Sequence, residues 1–169
     1  EIFITCMAMV LLIGGVLRGD THAAFISKSS ILVLLLSAIL LSQLWGGDYM
    51  ALDDMFKTSG YVVFVKILIV FSAATVIFMG MEHSYSPQGR YEHTVLILFA
   101  VIGMMVMVSA NDLIVMYMGL ELQSLSLYVL ASIDRDSTKS SEAGLKYFVL
   151  GALSSGLLLY GCSLVYGFT

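Results

Sequence analysis

The chain has 169 residues, of which 59% are hydrophobic and only 12% charged, with a net charge of −4 and a single Pro. A soluble domain carries about a quarter charged residues, and a globule of this size cannot hide so much apolar side chain. A soluble enzyme domain, a nucleic-acid-binding module and a disordered chain are all excluded; twelve Asp+Glu outnumber eight Lys+Arg, so nothing basic enough to neutralise phosphates is present.

Crossing a hydrocarbon core of about 30 Å takes about 20 apolar residues in a helix. Six stretches qualify in chain order: 2–17, 26–45, 59–81, 93–109, 111–133 and 142–167. The expected fold is an all-α polytopic membrane protein with six transmembrane helices. The first stretch opens on Glu1 with no basic leader and no cleavage motif, so it is not read as a signal peptide. The start at Glu1 and the end at Thr169, just past a helix, suggest a piece of a longer subunit. The fourth and fifth stretches are parted only by Ser109-Ala110-Asn111-Asp112. That tetrapeptide reads as a tight hairpin with Ser109 as N-cap of a capping box.

The odd loops and their flanks carry five basic residues (Arg18, Lys28, Arg90, Arg135, Lys139), whereas the even loops carry one, Lys57. The positive-inside rule therefore puts the odd loops in the cytoplasm and the first residue outside. Loop two, with Asp53 and Asp54, is then acidic and external. Trp45, Tyr49, Tyr61, Tyr91 and Tyr166 fall near span ends, where an aromatic belt belongs. His22, His83 and His93 fall in or beside the odd loops with no partner ligands at useful spacing. Cys6 and Cys162 lie in apolar runs and read as buried small hydrophobes. The eleven Met read as packing filler, and no metal or haem spacing is present.

Three ionisable residues fall inside spans: Lys66, Glu121 and Lys146. Such a group costs about 2.5–3.5 kcal/mol at the bilayer centre on insertion scales. Glu121 lies about 15 Å into its span, too deep for a short side chain to reach water. Tyr117, Glu121, Ser124 and Tyr128 follow at steps of 4, 3 and 4, so they share one helix face. This hydroxyl stripe is suited to holding a carboxylate or a water chain, and an acid so placed is suited to taking and releasing a proton. The bland reading is a protonated Glu that glues helices together. Lys146 sits near the start of its span. It reads either as a helix-surface partner of Glu142, four residues earlier, or as a cation in contact with Glu121. Lys66 reads as a snorkelling side chain that reaches the outer surface. In the last span, Gly151/Ser155 and Ala152/Gly156 are small-xxx-small pairs that permit close helix packing.

The strings around Asn111-Asp112, Gly119-Leu120-Glu121-Leu122-Gln123-Ser124-Leu125-Ser126-Leu127-Tyr128, Glu142-Ala143-Gly144-Leu145-Lys146-Tyr147-Phe148 and Gly151-Ala152-Leu153-Ser154-Ser155-Gly156 closely resemble the antiporter-like membrane subunits of proton-translocating NADH:quinone oxidoreductase (respiratory complex I). The resemblance is strongest to subunit N, equivalent to mitochondrial chain 2. It is dense over 109–167 and compatible in hydropathy elsewhere. It implies helices 1–4 over residues 1–108, followed over 109–169 by the start of a proton-translocation unit that continues past this chain.

The resemblance also implies a role. The chain would be part of a translocase subunit that couples electron transfer from NADH to quinone with proton translocation, with Glu121 and Lys146 on the proton path and Tyr117, Ser124 and Tyr128 supporting them. Within this chain it implies no metal, cofactor or redox centre, because NADH, FMN, iron–sulfur clusters and quinone are held by other subunits. Its expected partners are the other membrane-arm subunits and the lipid bilayer, with no nucleic acid. Its expected place is a bacterial inner membrane, with the mitochondrial inner membrane as alternative. Alternative functions are a subunit of a cation/proton antiporter, a subunit of a membrane-bound hydrogenase, and a passive scaffold.

Overall fold

The computed structural model describes residues 1–18, 23–47, 49–52, 54–134 except 83–89, and 136–168. Asp53, His22, His83 and Arg135 lie outside the described residues, as do the side chains of Arg18, Tyr49 and Arg90. The elements are α1 (Ile2–Arg18), α2 (Ala23–Ser42), β1 (Tyr49–Ala51), β2 (Phe56–Thr58), α3 (Gly60–Glu82), α4 (Arg90–Ser109), α5 (Leu113–Ala131) and α6 (Thr138–Phe168). The last five helices are long and apolar enough to cross a membrane. Helix α1 is apolar but has 17 residues, at the lower limit of a span. The helices are apolar on nearly every side, the pattern of elements whose outer faces meet lipid rather than water.

The helices run up and down, so two sets of ends form. At one end lie Glu1, the β1–β2 hairpin, the α4–α5 connection and the end of α6. At the other, Ser27 of α2 hydrogen-bonds Thr94 of α4 at 3.1 Å, and Gly15 of α1 abuts the Tyr91 ring. We call these the hairpin end and the loop end. Helix α4 is the centre of the bundle. It packs against α1, α2, α3 and α5, and supplies Leu98, Val101, Ile102 and Met105 to a core shared with Ile4, Leu34, Val70 and Ile77. Among the described residues, helix α6 packs only on α5 and leaves most of its surface open.

The α4–α5 hairpin is close-packed because two glycines face each other. A methyl group on Gly103 would sit 2.7 Å from the Gly119 carbonyl and 2.6 Å from the Gln123 amide nitrogen; one on Gly119 would sit 2.7 Å from the Met107 nitrogen. Backbone meets backbone at both positions, so neither can take a side chain unless the helices part.

Several expectations change here. Loop two is not featureless: β1 and β2 pair antiparallel, Tyr49 opposite Thr58. The hairpin docks on the α4–α5 connection through the Phe56–Ala110 bridge and two bonds from Asn111, its backbone N–H to the Met55 carbonyl (2.8 Å) and its side-chain amide to the Asp54 carbonyl (2.9 Å). Ser109 is not an N-cap. It closes α4, and its hydroxyl donates to the Met105 carbonyl at 2.8 Å. The N-cap of α5 is Asp112, whose Oδ1 accepts from the Ile114 N–H at 2.7 Å. Asn111, just before it, is held by the hairpin through both its N–H donors. Cys162 is buried as expected, but Cys6 is exposed on the outer side of α1.

Asp112 also accepts from the Tyr166 hydroxyl near the end of α6. That bond, and then the Ile114 N–H, hold its carboxyl below the ordinary carboxylate value. A depressed native value means that the cap contributes fully above the ordinary carboxylate range and is lost as pH falls through the lowered value. Amide exchange at Ile114 in the full-length protein, corrected for intrinsic rates, should stay protected through the ordinary carboxylate range and open only below it. In Asp112→Asn, whose carbonyl still caps, that pH dependence should vanish. Opening of Ile114 at the ordinary value would show that the Tyr166 contact does not form.

Candidate functional site

Glu121 stands near the middle of the 19-residue α5. Its face of the helix turns toward α6, as two contacts show. One turn toward the hairpin end, the Tyr117 hydroxyl meets the Ser155 hydroxyl of α6 at 3.0 Å. Two turns toward the loop end, the buried Tyr128 ring packs edge-on against Tyr147 (4.9 Å) and Phe148 (5.7 Å). Its hydroxyl lies where a methyl on Gly151 would be. The glycine at 151 is therefore what lets Tyr128 lie between α5 and α6. Of the two small-residue pairs, Gly151/Ser155 packs on α5 while Ala152/Gly156 faces open space.

Between these two anchors the Glu121 side chain is half-buried, and its Oε1 is fully shielded with no hydrogen-bond partner. A shielded carboxyl oxygen without a donor costs about 1–3 kcal/mol, and native structures tolerate few such groups. The stripe is thus assembled, but not as a cradle. Tyr117 is committed to Ser155, and neither Ser124 nor Tyr128 donates to the carboxyl group.

Lys146 is not brought to Glu121. Its Nζ pairs with Glu142 Oε1 at 2.5 Å across one turn of α6, with both side chains well exposed. The i,i+4 reading is the observed one. Helix α6 also begins at Thr138 rather than at 142, because Ser137 caps it by accepting from the Ser140 N–H at 3.3 Å. The polar run Ser137 to Ser141 looks like loop by hydropathy but is the helix's first turn. Lys146 therefore sits deeper along α6 than the span limits suggest.

A second polar cluster escaped the sequence reading. Lys66 does not snorkel: it is 4% exposed, and its Nζ pairs with Glu1 Oε1 at 2.8 Å. The same oxygen accepts from the Ser109 hydroxyl at 2.9 Å. Among the described residues, helices α1 and α3 have no close backbone contact, so the long Lys stem bridges the gap. Among the described residues no group of three or more His, Cys, Asp or Glu is placed to hold a metal.

Residues 110–169 match the family model of the transmembrane part of NADH:quinone oxidoreductase/Mrp antiporter subunits. The whole chain is 50% identical to NADH-quinone oxidoreductase subunit N of Maricaulis maris and 46% identical to that of Paramagnetospirillum magneticum, covering 99% of this chain in each case. The chain belongs to the subunit N family. It spans 35% of the length of those relatives.

The fold agrees with this. Respiratory complex I from Thermus thermophilus superposes with a TM-score of 0.82 at 29% identity, over 99% of this chain and 36% of that one. An archaeal membrane-bound sulfane sulfur reductase superposes with a TM-score of 0.71 at 18% identity, which shows a shared fold. As a multi-pass membrane subunit of this family, the chain carries its deep carboxyl group inside the segment that the family model covers.

Proposed function

We propose that this chain is about a third of a membrane-arm subunit of proton-translocating NADH:quinone oxidoreductase, in which Glu121 takes up and releases protons. The observation that carries the role of Glu121 is its shielded, unpartnered Oε1 halfway along a membrane helix. A group built only to glue helices would have a partner there; a group that changes its proton occupancy in a cycle needs an open position for water or for another carboxyl, amine or hydroxyl. Tyr117 and Tyr128 hold the face in place, and Ser124 lies within it as a hydroxyl free to join a water chain. Lys146, on the open side of α6, acts as a cation whose partner can change: the exposed Glu142 pair is weak, and a neighbouring acidic group can compete for the ammonium. When one member of such a pair is neutralised, the other's proton affinity moves.

Residues 109–169 form the start of the translocation unit, and 1–108 flank it. Electron transfer from NADH to quinone belongs to other subunits, which hold the FMN, iron–sulfur clusters and quinone. The basic residues of the odd loops support a loop end that faces the cytoplasm, and the bacterial relatives support an inner-membrane location.

The test is co-purification from the native membrane. The tagged full-length protein should bring down an assembly that oxidises NADH and acidifies the far side of vesicles. Recovery in an assembly without NADH oxidation, as an ion/proton antiporter or a hydrogenase would give, overturns the assignment.

A further inference from the structure

Serine and threonine hydroxyls inside helices ordinarily turn back onto a carbonyl of the preceding turn. Ser30, Ser72 and Ser126 do so here, each at 2.8 Å. Ser155 does not. It is the one buried hydroxyl among the described residues of α6, and it faces α5, where the Tyr117 hydroxyl meets it at 3.0 Å. Two hydroxyls carry two protons. One makes the bond between them, and the other has no acceptor among the described residues. One turn along the same face of α5, Glu121 Oε1 is a shielded acceptor without a donor. Helical side chains lean back over the preceding turn, which carries the Glu121 carboxyl toward the level of the hydroxyl pair. The Tyr128–Gly151 and Tyr117–Ser155 contacts bracket Glu121, so Ser155 is the buried hydroxyl that α6 brings to that level. A spare donor and a spare acceptor thus lie on neighbouring turns of one interface.

We propose that Ser155 is a positioning residue for Glu121: its hydroxyl donates to the carboxylate once Glu121 has given up its proton, and returns to Tyr117 when the carboxyl is neutral. Ser155 has this role only if Glu121 changes its proton occupancy, as proposed above. Bond strength sets the direction. A hydrogen bond to a charged oxygen is about twice as strong as one between neutral groups, so the charge draws the hydroxyl across, and its neutralisation lets Tyr117 compete again. The structure holds the second arrangement, with Ser155 on Tyr117. Ser155 is the member of the pair that moves, because rotation about its one side-chain carbon–carbon bond redirects the hydroxyl, whereas the Tyr117 hydroxyl is carried by a rigid ring. No covalent bond changes at Ser155; only the acceptor of its hydrogen does.

The test uses the full-length protein in its assembled complex, in reconstituted vesicles, and reads NADH-driven proton translocation per assembled complex. Ser155→Ala removes a single oxygen and should lower translocation about fivefold, equivalent to ~1 kcal/mol on the barrier. Ser155→Thr keeps the hydroxyl and should restore most of the loss. Tyr117→Phe removes the alternative partner but leaves the donor, and should lower translocation only about twofold. A bond that merely ties α5 to α6 is lost equally from either side, so equal losses in Ser155→Ala and Tyr117→Phe overturn the role. That comparison decides the matter even where the added methyl of Thr hinders assembly; an assembled Ser155→Thr as impaired as Ser155→Ala also overturns it. In a Glu121→Gln background, Ser155→Ala should cause no further loss, because no charge is left for the hydroxyl to follow. A further loss as large as in the unsubstituted protein would mean that Ser155 acts elsewhere. The two roles fail separately: normal translocation in Glu121→Gln removes the proton role of Glu121 and that of Ser155 with it, whereas an impaired Glu121→Gln beside an unimpaired Ser155→Ala removes that of Ser155 alone.

Discussion

Glu121→Gln in the assembled complex is expected to lower NADH-driven proton translocation more than about tenfold, at least ~1.4 kcal/mol on the barrier, while assembly and helix packing are retained. The choice of Gln decides between the two readings of the residue. Gln has nearly the volume of Glu, and its amide donates and accepts as a protonated carboxyl does. If Glu121 only bound helices together, Gln would serve as well. What Gln lacks is the ability to exchange a proton. Glu121→Asp keeps that ability on a shorter stem and should restore part of the pumping. The measurement is acidification of inverted or reconstituted vesicles per quinone reduced, with the amount of assembled complex as control. Pumping at the normal ratio in Glu121→Gln would leave helix packing as the residue's role, and the tight Tyr128–Gly151 and Tyr117–Ser155 contacts would then be its context.

Much of this architecture can be read from hydropathy alone, for a physical reason. In lipid, every backbone group must bond within its own helix, so length and apolarity settle the spans. The six helices follow the six apolar stretches, and Glu121 with its stripe follows from the 3.6-residue period. What the pattern hides is who meets whom. The hairpin at 49–58 has only three residues per strand, too few for alternation to show. The cap moves from Ser109 to Asp112 because α4 runs on to Ser109, whose hydroxyl is turned back to the Met105 carbonyl. The first turn of α6 is polar and reads as loop until Ser137 is recognised as its cap. The pairing of Lys146 was visible as an i,i+4 spacing, since both partners lie on one helix. That of Lys66 was not, because its partner is 65 residues away.

That Lys66 pair gives the largest expected effect on stability. Glu1→Gln removes the carboxylate and leaves an ammonium that is 4% exposed without its counter-charge. Breaking a buried pair from one side costs about 3–5 kcal/mol, because the remaining charge cannot reach water. Lys66→Met is expected to cost less. The Glu1 side chain is 31% exposed and keeps the Ser109 hydroxyl at 2.9 Å, so its charge is not stranded. The double variant Glu1→Gln/Lys66→Met places an amide and a thioether where two charges stood, and should recover most of the loss of Glu1→Gln. The measurement is thermal unfolding of the full-length protein in detergent for all four forms, with coupling taken from the cycle. A coupling near zero would mean that Lys66 reaches water by another route, and that α1 and α3 are tied by packing on α2 and α4 alone. A strong coupling would make this pair the tie between α1 and α3. It would place that tie beside Ser109, the residue from which the chain turns toward Asp112 and the helix that carries Glu121.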